Sequence, residues 1–389
     1  MIQQADRMIA FDNSLFLDVV KEKKKWEKKY KKKALDFSLG SPDLAPNDEI
    51  IETMKEAVSN PVNYKYAVNE LDELDEEIQN WYDKRYDVAL KKSEILCLQG
   101  SQEALVNLPL ALCNPGDLVF VCNPYYPIFS KAFKFAGAAV EFLPMKEEFD
   151  YLIQFDDINP KLAKKAKFMI VSYPNNPTGA LATDDFYKKM IQFAKKYNIL
   201  VIHDNAYSEI VFDGKQQKSF LSYPGAKDVG IELNSFSKTY GMAGARLGVC
   251  VGNEEIISIY RKLKANMDYG IFLPVQYAGI KALRLGADSI EKTCSIYEVR
   301  RDLLVKLFSD VGWSIKKNKA TMFVWARIPE SFDDDIDFFK TLLDETGIVT
   351  TPGSFFGTMG KRYVRLALVQ NEKVIVEAAN RIKESNLFK

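Results

Sequence analysis

The chain has 389 residues, of which 47% are hydrophobic and 27% charged, and its 53 basic residues balance 53 acidic ones. This length and apolar fraction predict a large buried core divided among about two to three domains. A net charge of zero gives no indication of a nucleic acid or an anionic membrane as partner.

Cysteine and histidine usage restricts the location and the chemistry. An odd number of cysteines without CxxC spacing is typical of a reducing compartment; they are Cys97, Cys113, Cys122, Cys250 and Cys294. No apolar run approaches the roughly 20 residues of a membrane span, and the N-terminus lacks a signal-peptide core, so we expect a cytoplasmic protein. His203 is the only histidine. A single histidine excludes HExxH zinc sites, which need two, and argues against a Ser-His-Asp or Cys-His hydrolase. We therefore expect no metal site, and we expect a lysine to act as the base.

The first element in chain order is a basic segment, KEKKKWEKKYKKK at 21–33. Phe16, Val20, Trp26 and Tyr30 fall near helical spacing, which predicts an exposed helix with an apolar stripe. A solvated basic face is favoured over a nucleic-acid or membrane role.

Seven strand-like apolar runs follow, with helical stretches between several of them. Buried strands alternating with amphipathic helices indicate a mostly parallel seven-stranded sheet covered on both faces. The strands are predicted at 95–98, 118–122, 140–143, 168–173, 199–203, 230–234 and 247–251, and the helices at 102–112, 128–135 and 184–197.

A different pattern begins near residue 276 and indicates a smaller α+β domain. One long helical region at 276–309 precedes short strands at 313–316, 322–326 and 363–367 and helices at 334–346 and 372–385. We therefore predict a large domain at 49–285 and a small domain formed by 1–48 and 286–389.

Ligands in open α/β sheets bind beyond the carboxyl ends of the strands, so the residues after each strand are the first candidates. Ser101 and Gln102 open a helix whose free N–H groups can bind a phosphate, although for Ser101 taken alone a helix cap is the favoured interpretation. Tyr126, between Pro124 and Pro127, can stack on a flat heteroaromatic ring or pack under a loop.

Two further strand ends carry polar groups. Asn176 lies in the turn Pro174-Asn175-Asn176-Pro177-Thr178-Gly179, which two prolines and a glycine fix. Asp204 ends a buried strand, where a carboxylate needs a partner such as a protonated pyridine nitrogen; capping of a following helix is the alternative. Tyr207 can hydrogen-bond a ring oxygen of the same ligand.

The most informative segment is Ser235-Phe236-Ser237-Lys238, followed by Arg246 eight residues after the lysine. The Lys238 amine can form a Schiff base with an aldehyde, while the two hydroxyls and Arg246 can hold a phosphate dianion. An aldehyde and a phosphate on one flat ring indicate pyridoxal 5′-phosphate (PLP).

These residues, in this order, resemble the fold type I PLP enzymes and, among them, the class I/II aminotransferases. The resemblance extends from about Leu39 to Ala367 and rests on Asn-Pro-Thr-Gly at 176–179, Asp204-x-x-Tyr207 and Ser-x-Ser-Lys with Arg246. Within the family, the stretches 203–208, 266–270 and 352–357 look similar to the LL-diaminopimelate aminotransferase branch.

The resemblance implies a role for each matching residue. Lys238 carries the cofactor and moves the substrate proton, Asp204 pairs with the pyridine nitrogen, and Tyr126 stacks on the ring. Asn176 and Tyr207 bind the ring 3-oxygen, and Arg365 binds the substrate carboxylate beside a closing loop at Gly40. The phosphate ligands are Ser101, Gln102, Ser235, Ser237 and Arg246.

The sequence departs from the family at one loop. Relatives usually have a tyrosine, which reaches the neighbouring subunit's phosphate, followed five residues later by glycine. Here Lys65 and Glu70 occupy those positions, and Tyr64 and Tyr66 flank the first. Either tyrosine can serve in the homodimer that the resemblance implies.

We therefore expect an aminotransferase that shuttles between PLP and pyridoxamine phosphate, acting on LL-diaminopimelate, aspartate, alanine or an aromatic amino acid. Phe355 and Phe356 suit an apolar substrate side chain or pack in the small domain, and no second arginine is assignable to a distal carboxylate. The alternatives are a PLP-dependent carbon–sulfur β-lyase and, less favoured, a PLP-binding regulatory module. A nicotinamide-binding protein is disfavoured because no GxGxxG follows a strand.

Overall fold

The computed structural model describes residues 2–11, 14–385 and 387–388, with residues 14 and 15 described by their backbone alone. The strands are β1 (Leu35–Asp36), β2 (Ile95–Leu98), β3 (Leu118–Asn123), β4 (Ala139–Pro144), β5 (Ala166–Ser172), β6 (Leu200–Asp204), β7 (Gly230–Ser235), β8 (Gly248–Gly252), β9 (Phe323–Arg327), β10 (Ile348–Val349), β11 (Thr351–Pro352) and β12 (Tyr363–Ala367). The helices are α1 (Ser14–Tyr30), α2 (Asp48–Ser59), α3 (Asp72–Tyr86), α4 (Ser101–Leu112), α5 (Ile128–Phe135), α6 (Pro160–Ala163), α7 (Asp184–Tyr197), α8 (Ala226–Val229), α9 (Phe236–Thr239), α10 (Glu254–Lys264), α11 (Leu273–Arg284), α12 (Ala287–Asp310), α13 (Asp335–Thr346) and α14 (Glu372–Ser385).

The central sheet has seven strands in the order β2-β8-β7-β6-β5-β3-β4. Strands β4, β3, β5, β6 and β7 are parallel, and β8 is antiparallel to both of its neighbours. Nearly every residue of β5, β6, β7 and β8 is buried, which explains their continuous apolar runs. The predicted α/β fold is confirmed, and each strand boundary agrees within two residues.

Local capping fixes where several helices begin. The side chains of Asn47, Thr183 and Asn253 accept hydrogen bonds from main-chain N–H groups in the first turns of α2, α7 and α10. Each bond satisfies a donor that the helix leaves free at its start. Helices α4, α5 and α10 then pack together in one group, and α2, α3 and α11 in another.

The C-terminal part contains a three-stranded antiparallel sheet, β11-β12-β9, beside the parallel pair β1-β10. The predicted strand at 313–316 is wrong: the segment is irregular, and Trp313 buries its indole while donating to the Arg327 carbonyl at 2.9 Å. The helical region predicted at 276–309 is helical but consists of two helices, α11 and α12. Gly286, at φ 70°, separates α11 from α12, because glycine adopts this left-handed conformation without a Cβ clash.

The buried apolar residues form two main cores. One surrounds the seven-stranded sheet, and the other joins Phe37, residues 206–212 and the C-terminal elements. The domain boundaries at 48/49 and 285/286 remain predictions. Among the described residues, none of the helices combines the length and apolar character needed to cross a bilayer.

Residues 21–30 of the basic segment lie in helix α1, as predicted, and 31–33 follow it, but the buried stripe of the helix differs from the predicted one. Val19 and Trp26 are buried, whereas Val20 and Tyr30 remain 45% and 39% exposed. Trp26 packs on the start of β10 near Gly347 and donates to the Asp344 carbonyl at 3.2 Å, which holds α1 against α13.

Candidate active site

The ends of the central strands open into one cavity of about 810 Å³. Because β8 is antiparallel, its first residue lies at the edge where the parallel strands end, and this brings Arg246 to the same place. The cavity is lined by every predicted site residue: Gly40, Ser101, Gln102, Tyr126, Asn176, Asp204, Tyr207, Ser235, Ser237, Lys238, Arg246 and Arg365.

Lys238 projects from the short helix α9, which follows β7 directly. Ser235 caps this helix by accepting from the Ser237 N–H at 3.2 Å, which fixes the turn that aims the lysine. The Lys238 Nζ donates to the Gly40 carbonyl at 3.0 Å. Burial, followed by the charges of Arg365 and Arg246, lowers the Lys238 pKa from its ordinary 10.5 to about 8. With this pKa roughly a tenth of the amine is neutral at pH 7, far more than for an ordinary lysine.

Asp204 is the only carboxylate among the described residues that line the cavity. It is 6% exposed, and its Oδ1 accepts a hydrogen bond from the Ala206 N–H at 3.2 Å. Burial is the largest influence on this group and raises the Asp204 pKa from 3.8 to about 6. No helix begins directly after Asp204, so the capping alternative is wrong. The buried carboxylate is suited to a cationic partner inside the cavity.

Arg365, on β12, forms the opposite side of the site. Its Nη1 donates to Asn176 Oδ1 at 3.0 Å and its Nη2 to the Ser38 carbonyl at 3.2 Å. The guanidinium carbon lies 3.9 Å from the Phe323 ring centroid and 4.6 Å from that of Phe356. These contacts fix the plane of the guanidinium.

The charge of Arg365 is not neutralised within the described residues. No described carboxylate lies within salt-bridge distance of it, and its buried Nε has no hydrogen-bond partner. Burial lowers the Arg365 pKa to about 10. A planar donor fork held in this way is suited to a carboxylate that enters from solution.

A second anion-binding region lies where helix α4 begins. Gly100, at φ 77°, precedes the helix, and a Cβ at this position would overlap the guanidinium of Arg246. Arg246 Nη1 donates to the Ala243 carbonyl at 3.0 Å, and this guanidinium also lacks a described acidic partner. Ser101 is the first residue of α4 rather than its cap. The helix start and Arg246 together are suited to a phosphate.

Two tyrosines lie between these regions. The Tyr126 hydroxyl donates to Gln102 Oε1 at 3.1 Å, so the ring is tied to the start of α4. Tyr207 packs edge-on against Phe323 at 5.8 Å, and its ring centroid is 5.9 Å from Lys238 Nζ. Burial raises the Tyr207 pKa, which keeps the phenol protonated as a hydrogen-bond donor.

Sequence reasoning missed several contributors to the cavity. Phe323 and the Ser38 carbonyl hold Arg365 in place, and neither belongs to a recognisable motif. Phe355 and Phe356 do not line the cavity; they pack behind Arg365, which is the second of the two alternatives stated for them. The N-terminal residues Phe11, Phe16, Val19 and Val20 also line the cavity and could not be placed from sequence.

The divergent loop at 64–70 is held by Glu70, at the position where relatives usually have glycine. Its Oε1 accepts from the Cys97 N–H at 2.9 Å, and its Oε2 pairs with Arg261 at 2.8 Å. The Tyr64 hydroxyl donates to the Val58 carbonyl at 2.9 Å, whereas Tyr66 is 83% exposed. Tyr64 is also exposed, at 65%, so the two tyrosines differ mainly in that the Tyr64 hydroxyl is engaged by the Val58 carbonyl.

Comparison with known proteins places the chain in a family. The family model for aminotransferase class I and II matches residues 32–382. The chain is 40% identical over 391 residues to LL-diaminopimelate aminotransferase from Halothermothrix orenii, covering 99% of each chain. It is 43% identical over 352 residues to that of Nitratidesulfovibrio vulgaris, covering 90% of each. The apo-BacF structure from Bacillus subtilis superposes with a TM-score of 0.96 at 36% identity, covering 100% of this chain and 99% of that one.

The fold and the site define a PLP-dependent enzyme of fold type I. More narrowly, the chain belongs to the class I and II aminotransferases, and it is an aminotransferase. The donor set fits the cofactor: an amine of lowered pKa for its aldehyde, a buried carboxylate with no ion-pair partner among the described residues for its pyridine nitrogen, and a guanidinium at a helix start for its phosphate. When bound, PLP supplies an electron sink for the bonds to the substrate α-carbon.

Proposed function

We propose that this enzyme transfers an amino group from an L-amino acid to a 2-oxo acid with Lys238 as the base. The observation that carries the proposal is the convergence of Lys238, Asp204 and Arg365 on one cavity. Arg365 holds the carboxylate of the amino acid, and the Lys238 amine takes the proton from the α-carbon. Because its pKa is about 8, the amine can both accept and return a proton near neutral pH.

The remaining lining residues hold and orient the cofactor in this proposal. Asp204 pairs with the ring nitrogen, Asn176 and Tyr207 bind the ring oxygen, and Tyr126 covers the ring face. The phosphate is held by Ser101, Gln102, Ser235, Ser237 and Arg246. The loop at Gly40, whose carbonyl accepts from Lys238, closes over the substrate and excludes water.

We also propose a homodimer in which Tyr66 reaches the phosphate of the partner subunit. An exposed aromatic patch supports an interface here, since large exposed apolar patches are typical of binding surfaces; it consists of Val62, Tyr64, Tyr66, Val68, Met267, Tyr269 and Phe272. Tyr66 packs on Tyr269 at 5.4 Å, and its hydroxyl has no hydrogen-bond partner among the described residues. A cytoplasmic location is supported by the five cysteines, all of which are free thiols.

The names of the relatives make LL-diaminopimelate one candidate donor, beside aspartate, alanine and aromatic amino acids. The test is a panel of these donors with 2-oxoglutarate and the purified holoenzyme. We expect a yellow protein that converts donor to 2-oxo acid only when 2-oxoglutarate is present. L-Cystathionine is added to the panel because its β-carbon carries a thiol leaving group. Release of homocysteine, pyruvate and ammonia from it without an oxo acid would instead indicate the carbon–sulfur β-lyase.

A further inference from the structure

The cavity has an apolar wall, formed by Phe11, Phe16, Val19, Val20, Leu39 and Ile128. All six side chains belong to the same protomer as Lys238, so the wall is present whichever side of the cavity a second copy contacts. The roles proposed above for the polar lining residues do not involve these six apolar side chains.

Aromatic contacts hold the N-terminal part of the wall against the body of the protein. The Phe11 ring lies 4.7 Å from that of Phe135 on α5, and the Phe16 ring lies 5.4 Å from that of Phe355. Val19 packs in the same apolar cluster as Phe355 and Phe356.

This cluster connects the wall to the substrate end of the cavity. Phe356 stacks on the Arg365 guanidinium at 4.6 Å, directly behind the group that is suited to the substrate carboxylate. The wall residue Leu39 lies between Ser38 and Gly40, whose carbonyls accept hydrogen bonds from Arg365 and Lys238, so the wall adjoins the place where the substrate would bind.

The charges of the lining do not suit a second polar terminus on the substrate. Beyond Asp204, Lys238, Arg246 and Arg365, the only charged side chain among the described lining residues is Lys131. Lys131 already has an interaction partner. Within this protomer's described lining, a distal ammonium on the substrate would find no carboxylate other than Asp204, and a distal carboxylate would find no unengaged cation, so burial of either against the wall would be uncompensated by this chain.

We infer that the preferred amino donor carries a large apolar or aromatic side chain rather than a charged one. This inference rests on the proposed amino transfer. It assigns the apolar wall as the surface of the enzyme that selects the side chain of the amino donor. It also separates this enzyme from the relatives, whose names specify a donor with two ammonium and two carboxylate groups. Burial of a phenylalanine- or leucine-sized side chain against such a wall favours it by about ten- to a hundredfold.

The first experiment compares kcat/KM of the holoenzyme for L-phenylalanine and L-leucine with that for LL-diaminopimelate and L-aspartate, at one fixed 2-oxo acid. We expect the apolar donors to be preferred about tenfold or more. Preference for LL-diaminopimelate or aspartate overturns the inference while leaving the proposed function intact. Absence of amino transfer from every donor overturns the proposed function as well.

A second experiment measures binding without turnover, with two ligands that lack amino groups. Calorimetry gives the dissociation constants of 3-phenylpropanoate, which corresponds to phenylalanine, and of pimelate, which corresponds to diaminopimelate. The variants are Phe16→Ala and, as the matched control, Phe16→Leu, each checked for folding by thermal melting. We expect Phe16→Ala to weaken 3-phenylpropanoate about tenfold and pimelate little, and Phe16→Leu to weaken neither by more than about threefold. Equal losses for both ligands, or no loss for 3-phenylpropanoate, overturn the inference.

Discussion

The guanidinium of Arg365 donates a hydrogen bond to the Asn176 side-chain oxygen over 3.0 Å, and this bond joins strand β12 to the turn after strand β5. Strand β12 belongs to the three-stranded sheet and strand β5 to the seven-stranded sheet, so the proposed carboxylate site lies between the two sheets. A second donor of the same fork is used on the Ser38 carbonyl. The position of the Arg365 guanidinium therefore depends on its planar donor fork as well as on its charge.

Replacement of Arg365 by lysine tests this geometry while keeping the charge. A lysine ammonium cannot reproduce the fork or the stacking between Phe323 and Phe356, so we expect kcat/KM for the amino donor to fall about a hundredfold. Cofactor absorbance should be unchanged. Steady-state kinetics of the two proteins measure the difference, and a nearly unaltered kcat/KM for Arg365→Lys would mean that charge alone suffices.

The lowered pKa of Lys238 predicts a pH dependence for cofactor association. Only the neutral amine attacks an aldehyde, so the association rate of PLP with the apoprotein should rise with pH and level off above about pH 9, one unit above the pKa of about 8. A lysine with its ordinary pKa of 10.5 would give a rate still rising at pH 10. In Arg365→Met the loss of a nearby positive charge should raise the Lys238 pKa and move the midpoint upward. Stopped-flow absorbance measures both profiles, and identical midpoints would contradict the assigned cause.

We expect the buried carboxylate of Asp204 to destabilise the apoprotein. Its pKa is raised from 3.8 to about 6, so its stabilising contribution is present below pH 3.8 and is lost as the pH rises through 6. At pH 7 the buried charge costs about 3 kcal/mol, since each pKa unit corresponds to about 1.4 kcal/mol. We therefore expect Asp204→Asn to raise the melting temperature of the apoprotein at pH 7 and to abolish amino transfer. Denaturation scans with and without PLP measure this, and a destabilised Asp204→Asn apoprotein would refute the prediction.

Gly100→Ala tests the phosphate end of the site. Alanine at φ 77° and ψ 149°, a backbone conformation almost restricted to glycine, costs about 1–3 kcal/mol of stability, and its methyl group also displaces the Arg246 guanidinium. Gly214→Ala is the matched control, because Gly214 has φ 66° but no atom within 4 Å of an added Cβ. We expect both variants to lose stability, Gly100→Ala the more, and a PLP dissociation constant raised about tenfold or more only in Gly100→Ala. Equal PLP affinities of the two variants, measured by fluorescence titration, would mean that Arg246 does not bind the phosphate.

Tyr66→Phe and Tyr64→Phe form a second matched pair. The Tyr64 hydroxyl is already bonded to the Val58 carbonyl, so its removal should leave PLP affinity unchanged. Removal of the Tyr66 hydroxyl should weaken PLP binding about tenfold, as expected for loss of a hydrogen bond to a charged phosphate. Sedimentation at several concentrations checks that both variants keep the oligomeric state of the parent. The opposite ranking would assign the cross-subunit contact to Tyr64.

The polar lining of the cavity was predictable because its chemistry is local in sequence. Asp204 and Lys238 each lie at or just after the end of an apolar strand, and parallel strands bring such positions to one edge. Phe323 was not predictable as a support for Arg365, because their contact depends on how β9 and β12 pair. The strand predicted at 313–316 failed because burial of Trp313, rather than strand pairing, explains its apolar character.

The most direct test of the central claim is to locate the lysine that binds the cofactor. The holoenzyme is treated with borohydride, which fixes PLP to the amine that holds it, and is then digested and mapped by mass spectrometry. The prediction is a single pyridoxyl group on Lys238, absent from Lys238→Ala, which should also lack amino transfer. A pyridoxyl group on another lysine of the active protein, or undiminished amino transfer by Lys238→Ala, would contradict the assignment.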